Sequence, residues 1–394
     1  MKVGFEERST FVNRLKLFCI LGIFTMHVAL TFTFVPNLYP FWIFDVSSPS
    51  LVLTGMSSLL NSVCMPLFFY LAGTMAHRHV ATRNAERFFQ RSKKWSIYLC
   101  ITWPIVAASI VFATWWSGLD VSWQDVVFPR QPDQNTMFFW LPINFFHLWF
   151  LVCLMLYEFL VGLFLRRGIR ISIPFKWALP LVLLVHACAS FFTHEGFLMT
   201  PIVFNEQTLF SLIAYLAWYI FGLGYPIDKM KSFFGSGLQK AIPVLFVVTL
   251  YFLSKYVFLN HHDNLSNFWW VVLVSCDALI VIALFGLWRI IDDENRVFSN
   301  IPIIKEKGWQ QWVLNHQLGI YIVQIPVIFL VFSFAKSFTI IDVSVKSANL
   351  TPPSRTECLE TWFTYLLFIV VIVCICYVLL QFFSWILKKR TQIR

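Results

Sequence analysis

The chain has 394 residues, of which 58% are hydrophobic, 19% aromatic and only 13% charged. Because soluble domains carry about 25% charged residues, this composition excludes a water-soluble fold, and it excludes disordered, collagen-like and disulfide-scaffold proteins as well. The 30 Lys and Arg residues against 20 Asp and Glu give a net charge of +10, which in a membrane protein indicates sidedness rather than nucleic-acid binding.

Apolar runs long enough to cross a bilayer follow one another along the chain. A hydrocarbon core of about 30 Å needs roughly 20 apolar residues, since a helix rises about 1.5 Å per residue. About ten such runs occur, in chain order at 15–36, 51–75, 95–117, 146–165, 177–193, 207–226, 241–258, 268–288, 309–334 and 361–387. The sequence therefore predicts an all-α polytopic membrane protein, a bundle of about ten transmembrane helices that forms a single domain over residues 1–394.

The Lys and Arg residues are concentrated in alternate connections between these runs. Ten spans place both termini on one side, and with the N-terminus inside, 25 Lys and Arg residues fall on inner segments and 5 on outer ones. Cytoplasmic segments are enriched in these residues because their translocation is disfavoured. We therefore expect both termini to be cytoplasmic and the inner face of the bundle to attract anionic ligands.

The first span carries two ionisable residues, Lys16 and His27. Eleven steps of about 100° make three turns plus about 20°, so the two side chains share one helix face, about 16 Å apart along the axis. Intramembrane ionisable groups are costly and point to function by default. A long ligand with an anionic end at Lys16 and a reactive end at His27 could contact both. In the alternative interpretation, Lys16 reaches the headgroups and His27 is a packing residue.

The predicted inner loop from His77 to Lys94 contains six Lys and Arg residues and one acid, Glu86. A bidentate guanidinium such as that of Arg91 suits a phosphate, and Lys94 can add a point charge. The alternative is the ordinary excess of positive charge on the inner side.

Three polar residues of later spans are further candidates. His147, at the outer end of the fourth run, could reach the level of His27 and orient an acceptor or the imidazole. Asp277, near the middle of its run, needs a partner or a cavity and could hold a histidine tautomer. Glu158, toward the inner half of its run, is expected to pair with a base of the inner surface. No metal site is predicted, because no set of residues has the spacing of metal ligands.

Four segments in register resemble motifs of the membrane acyltransferase-3 family. The first span, N-R-L-K-L-F-C-I-L-G-I-F-T-M-H, is similar to the family's opening span, in which a basic residue precedes a histidine by eleven positions. The others resemble F-F-x-x-S-G followed by R-x-x-R, H-L-W-F-L, and G-I-Y-L-x-H-x-P; in this chain they are Pro66 to Gly73 with Arg91 to Lys94, His147 to Leu151, and Leu318 to Pro326. The resemblance covers nearly the whole chain and is strongest to the glucan biosynthesis protein C and fucose O-acetylase-like branch.

The chain departs from these motifs at four positions. Lys16 and Lys94 replace Arg, and Ala72 replaces Ser, so that charge or size is preserved at all three. Gln324 stands where His is common. An amide does not titrate near neutral pH, which argues against proton transfer at this position.

The resemblance implies a membrane-bound O-acyltransferase. An acyl group, acetyl in the first place with succinyl as the alternative, would pass from cytosolic acyl-CoA to a hydroxyl of an extracytoplasmic carbohydrate, such as a polysaccharide, lipopolysaccharide or glucan of the cell envelope. The enzyme would lie in the cytoplasmic membrane of a bacterium, and its partners would be acetyl-CoA or succinyl-CoA, the carbohydrate and the bilayer, without metal or nucleic acid.

The candidate residues take distinct roles in this reaction. His27 would act as general base on the acceptor hydroxyl or carry the acyl group briefly. The remaining candidates either bind the phosphates of CoA or orient the acceptor: Lys16, Arg91 and Lys94 in the first group, His147 and Asp277 in the second. The competing hypothesis is a secondary transporter or a flippase-like protein without acyl transfer, since such proteins also carry intramembrane Lys, His, Glu and Asp residues.

Overall fold

The computed structural model describes residues 2–29, 32, 44–46, 50–116, 139–140, 148–169, 174–194, 202–204, 207–227, 229–230, 241–261, 267–294, 308–337, 343–345 and 359–392. Eleven helices lie in these ranges: α1 (Lys2–Ala29), α2 (Leu51–Ala81), α3 (Ala85–Trp116), α4 (Trp149–Arg166), α5 (Phe175–His194), α6 (Leu209–Gly224), α7 (Ala241–His261), α8 (Asn267–Glu294), α9 (Gly308–Asn315), α10 (Gln317–Ser337) and α11 (Leu359–Gln392). Nine of the ten predicted apolar runs each overlap one helix, and the run 309–334 is divided at His316 between α9 and α10. The structure confirms a helical polytopic membrane protein.

Six of these helices are long and apolar enough to cross a bilayer: Val12–Ala29, Val52–Val80, Ala85–Ala113, Trp149–Arg166, Gln317–Ala335 and Phe363–Phe382. The other four runs form shorter apolar helices, Phe175–Phe191, Ser211–Gly224, Ile242–Ser254 and Val271–Gly286. The chain is therefore an integral, multi-pass membrane protein. The cytoplasmic placement of its termini remains a prediction from the Lys and Arg distribution.

The predicted inner loop from His77 to Lys94 is wrong in its extent. The structure continues α2 to Ala81 and begins α3 at Ala85, so only a three-residue turn separates the two helices. Arg83 adopts a left-handed backbone (φ 48°) in this turn, and the Asn84 side chain accepts a hydrogen bond from the Arg87 amide (3.0 Å), which caps α3. The charged residues mark the ends of the apolar runs, but they are themselves helical. Capping and packing stabilise α2 and α3 over these residues.

Short strands occupy the connections that the sequence places outside. β1 (Phe44–Val46) follows α1, β2 (Phe139–Trp140) precedes α4, β3 (Ile202–Phe204) and β4 (Gln207–Thr208) precede α6, and β5 (Val343–Val345) follows α10. β1 pairs with β5 antiparallel, while β3 lies between a parallel β2 and an antiparallel β4. Connections that are far apart in sequence are thus joined at one end of the bundle, the end at which α1 finishes.

Two glycines allow a close crossing between α2 and α6. A Cβ added to Gly73 would collide with the carbonyl oxygen of Tyr219, and one added to Gly222 would collide with that of Tyr70. Small residues allow two helix backbones to approach closely inside a membrane. The hydroxyl of Tyr70 donates to the carbonyl of Tyr225 (3.0 Å), which adds a polar link between α2 and the residue that follows α6. Helix packing therefore explains why Gly73, the glycine of the F-F-x-x-S-G motif, has no side chain.

Candidate active site

His27 lies near the end of α1 and is 5% exposed. Its neighbours come from α10, which packs against α1. The Tyr321 ring meets the imidazole edge to face with 6.3 Å between centroids, and the side chain of Gln324 forms a hydrogen bond with that of His27. Tyr321 and Gln324 are three residues apart and therefore share one face of α10. The late G-I-Y segment thus supplies the surroundings of the histidine in the first span.

Aromatic residues of two other motif segments continue from this site. The Phe150 ring lies 4.1 Å from that of Tyr321, and Phe68 lies 5.3 Å from Phe150. Phe69 in turn stacks on Tyr215 at 5.2 Å. The first span and the F-F, H-L-W-F-L and G-I-Y segments, which are far apart in sequence, therefore meet through their side chains.

The Trp149 side chain is part of this aromatic cluster. Its ring lies 6.2 Å from Phe69 and 5.6 Å from Tyr215, and the residue is buried. Trp149 is thus a core residue and does not belong to an interfacial belt of tryptophans. His147, two residues earlier, lies outside the described residues.

A buried ion pair lies at the end of the bundle that is rich in Lys and Arg. Nη2 of Arg91 on α3 is 2.6 Å from Oε1 of Glu158 on α4, with the two side chains 23% and 0% exposed. The Tyr219 side chain is an electrostatic neighbour of the same carboxylate. The expectation that Glu158 pairs with a basic residue is confirmed, and the inner side of this pair remains a prediction. The guanidinium is held against the bundle through Nη2, and it has further N–H donors besides.

Lys94 points away from this ion pair. It is exposed, and its Nζ lies 5.4 Å from the centroid of the Tyr98 ring. Ile97, Ile101 and Ile105 follow it at helical spacing and are exposed as well. In an integral membrane protein such an apolar stripe faces lipid. The structure therefore separates the two basic residues of the R-x-x-K segment, with Arg91 at the core and Lys94 at the lipid-facing surface.

Lys16 is half-buried on α1. It lies three helical turns before His27, toward the end of the bundle that carries Arg91. Asp277 is buried on α8, where its carboxylate accepts a hydrogen bond from the Ser190 hydroxyl (2.5 Å). α8 packs against α2, α5 and α7, whereas the partners of His27 come from α10. The structure thus places Asp277 with Ser190, and it places His27 with Gln324.

Two residues of the site were not predicted from the sequence. Tyr219 lies in an apolar run without any polar pattern, and only the close crossing of α2 and α6 brings it to Glu158. Tyr321 did have a signal, because it precedes Gln324 by three residues within a recognised motif. Within the described ranges no group of three or more His, Cys, Asp or Glu residues could hold a metal ion.

A family model described as an acyltransferase domain matches residues 9–381. Neither the curated proteins nor the solved structures that were compared give a significant match. The family match spans α1 to most of α11 and therefore includes His27, the Arg91–Glu158 ion pair and Gln324.

Proposed function

The chain belongs to the membrane acyltransferase-3 family, and from this premise we propose that it transfers an acyl group from cytosolic acyl-CoA to a hydroxyl of an extracytoplasmic carbohydrate. The observation that carries the proposal is the buried His27, which lies on the same helix as Lys16 and packs against α10. The acceptor would be a polysaccharide, lipopolysaccharide or glucan of a bacterial envelope, and the enzyme would lie in the cytoplasmic membrane.

His27 supplies the chemistry of this proposal. As general base, the imidazole takes the proton of the acceptor hydroxyl while its oxygen attacks the thioester carbonyl; the new C–O bond replaces the C–S bond, and the proton passes to the departing thiolate of CoA. As nucleophile, the unprotonated nitrogen attacks the thioester carbonyl, so that a C–N bond replaces the C–S bond and the thiolate of CoA leaves. The acceptor hydroxyl then attacks the acylated imidazole, a C–O bond replaces the C–N bond, the imidazole leaves unchanged, and the hydroxyl proton passes to the thiolate. Both routes need an unprotonated ring nitrogen.

Cationic residues at the opposite end of the bundle support an anionic donor. Lys16 is separated from His27 by about 16 Å of helix, so the long pantetheine arm of CoA can run along α1 while its phosphates remain near Lys16. Arg91 offers guanidinium N–H groups at the same end, since its partner Glu158 occupies only part of the fork. The lipid-facing position of Lys94 favours a headgroup contact over a donor contact.

The surroundings of His27 favour acetyl over succinyl. Of the residues that the structure describes there, Tyr321 and Gln324 contact His27 and Phe150 contacts Tyr321, and none of the three carries a formal charge. A succinyl group would bring a carboxylate among these side chains, and a buried charge without a counter-ion costs several kcal/mol. A short neutral acyl group avoids this cost.

The test compares cells that lack the gene with cells that express the wild type, His27→Ala or His316→Ala. His316 serves as the control because it lies between α9 and α10, stacked on Trp312 (4.7 Å). Mass spectrometry of the envelope glycans is expected to show acetyl groups with the wild type and His316→Ala and none with His27→Ala, while all variants accumulate in the membrane. Full acylation with His27→Ala would overturn the mechanism. Purified protein that binds no acyl-CoA but conducts a small solute in vesicles would support the transporter hypothesis.

A further inference from the structure

The hydrogen bond between His27 and Gln324 joins two helices whose sequences are almost three hundred residues apart. The two side chains are 5% and 1% exposed, so water does not compete for this bond. Neutral polar groups that meet inside a bundle contribute modestly to helix association. Other pairs of neutral polar residues could stabilise the helix contact in the same way. This bond differs because it involves the imidazole on which the proposed reaction depends.

The direction of the bond follows from the amide group. Within the part of the chain that the structure describes, Nε2 of Gln324 makes no hydrogen bond. The bond to His27 therefore uses the amide oxygen, which can only accept. The ring nitrogen of His27 that faces Gln324 must then carry a proton and donate it. In a neutral imidazole only one nitrogen carries the proton, so the other nitrogen has the lone pair.

We propose that Gln324 is a positioning residue that fixes the tautomer and the ring orientation of His27. The inference rests on the proposed function, because it assigns the unprotonated nitrogen of His27 to the acceptor hydroxyl or to the acyl group. Gln324 holds one nitrogen protonated, and the edge-to-face contact with Tyr321 fixes the plane of the ring. An amide keeps the same protonation state across the physiological pH range, and it therefore holds one tautomer throughout.

This role explains how the chain can depart from the family at this position. A histidine at 324 could also accept the bond through an unprotonated nitrogen, but it has two tautomers of its own. Glutamine provides the acceptor without that ambiguity. Gln324 has no titratable proton, and it needs none, because it acts through His27.

The experiment uses full-length protein in lipid nanodiscs with acetyl-CoA as donor and the envelope glycan fraction as acceptor. Gln324→Met keeps the length of the side chain and removes the acceptor oxygen, whereas Gln324→His restores an acceptor. Ser333→Ala is the matched control, because the Ser333 hydroxyl also makes a buried interhelical bond from α10, to the carbonyl of Ala113 (2.8 Å). The measurements are kcat, the KM for acetyl-CoA and the thermal unfolding midpoint of each variant.

Gln324→Met is expected to lower kcat by at least about 10-fold, within the range that general base catalysis contributes, with the KM for acetyl-CoA nearly unchanged. Gln324→His should recover most of that loss. Ser333→Ala should lower the unfolding midpoint as Gln324→Met does and leave kcat intact. If Gln324→Met fails to accumulate, Gln324→Asn takes its place, since its shorter amide does not reach the imidazole, and the same loss is expected.

An unchanged kcat in these Gln324 variants, with His27→Ala inactive, overturns the positioning role and leaves the proposed function intact. Full activity of His27→Ala overturns the proposed function itself. Equal losses of kcat in Gln324→Met and Ser333→Ala, without recovery in Gln324→His, would mean that the bond serves only helix packing.

Discussion

Nη2 of Arg91 lies 2.6 Å from Oε1 of Glu158, and this contact ties α3 to α4 at the end of the bundle that is rich in Lys and Arg. The sequence predicts a basic partner for Glu158 but does not identify it as Arg91. The two residues are 67 positions apart and lie on different helices. The ion pair gives Arg91 two tasks. It neutralises a fully buried carboxylate, and it presents the remaining guanidinium N–H groups in a fixed orientation.

Replacing Glu158 by Gln should destabilise the protein by about 3 kcal/mol, because the guanidinium of Arg91 then has no counter-ion in a mostly buried position. The loss is measured as a lower thermal unfolding midpoint in detergent. The double variant Arg91→Met/Glu158→Met removes both charges and should recover most of the stability. It should nevertheless show a KM for acyl-CoA raised by about 10-fold, since one phosphate contact is lost. A stable double variant with an unchanged KM would contradict donor binding by Arg91.

The crossing of α2 and α6 predicts a strong dependence on glycine at one position. Gly73→Ala places a Cβ against the backbone carbonyl of Tyr219, which cannot move without separating the helices. We expect this variant to lose most of its accumulation in the membrane, as measured by quantitative immunoblotting. Gly224→Ala is the control, because a Cβ there meets nothing within 4 Å. Normal accumulation of both variants would show that the crossing tolerates a methyl group.

The two lysines of the motif segments should differ in their effect on donor binding. Lys16→Gln is expected to raise the KM for acyl-CoA by about 10-fold, since one charge-assisted contact to a phosphate is lost. Lys94→Gln should leave that KM within about 2-fold, because a surface charge in contact with headgroups contributes little. The measurement is the initial rate of CoA release over a range of donor concentrations. A larger increase in KM for Lys94→Gln than for Lys16→Gln would place the donor at the lipid-facing side of α3.

The sequence predicted the helices well, because runs of apolar residues reflect the thickness of the bilayer. It also placed Lys16 and His27 on one helix face, since that relationship lies within a single helix. The contacts of His27 with Gln324 and of Arg91 with Glu158 could not be predicted in this way. Each of them depends on which helices become neighbours, and apolar periodicity carries no such information when lipid and protein are equally apolar. The short length of the turn between α2 and α3 could not be predicted from hydrophobicity, because the charged residues that follow the second run are themselves helical.

The ring contact between Phe150 and Tyr321 (4.1 Å) predicts which acyl groups fit beside His27. Phe150→Val removes much of a ring from this position, and it should raise the ratio of kcat/KM for butyryl-CoA over acetyl-CoA by about 10-fold, since two methylenes in an apolar pocket change binding by a few kcal/mol at most. The ratio does not depend on the amount of folded protein. Phe368→Val is the control, because Phe368 stacks on Phe332 (4.7 Å) between α10 and α11 and should leave the ratio unchanged. An equal ratio in both variants would mean that Phe150 does not limit the acyl group.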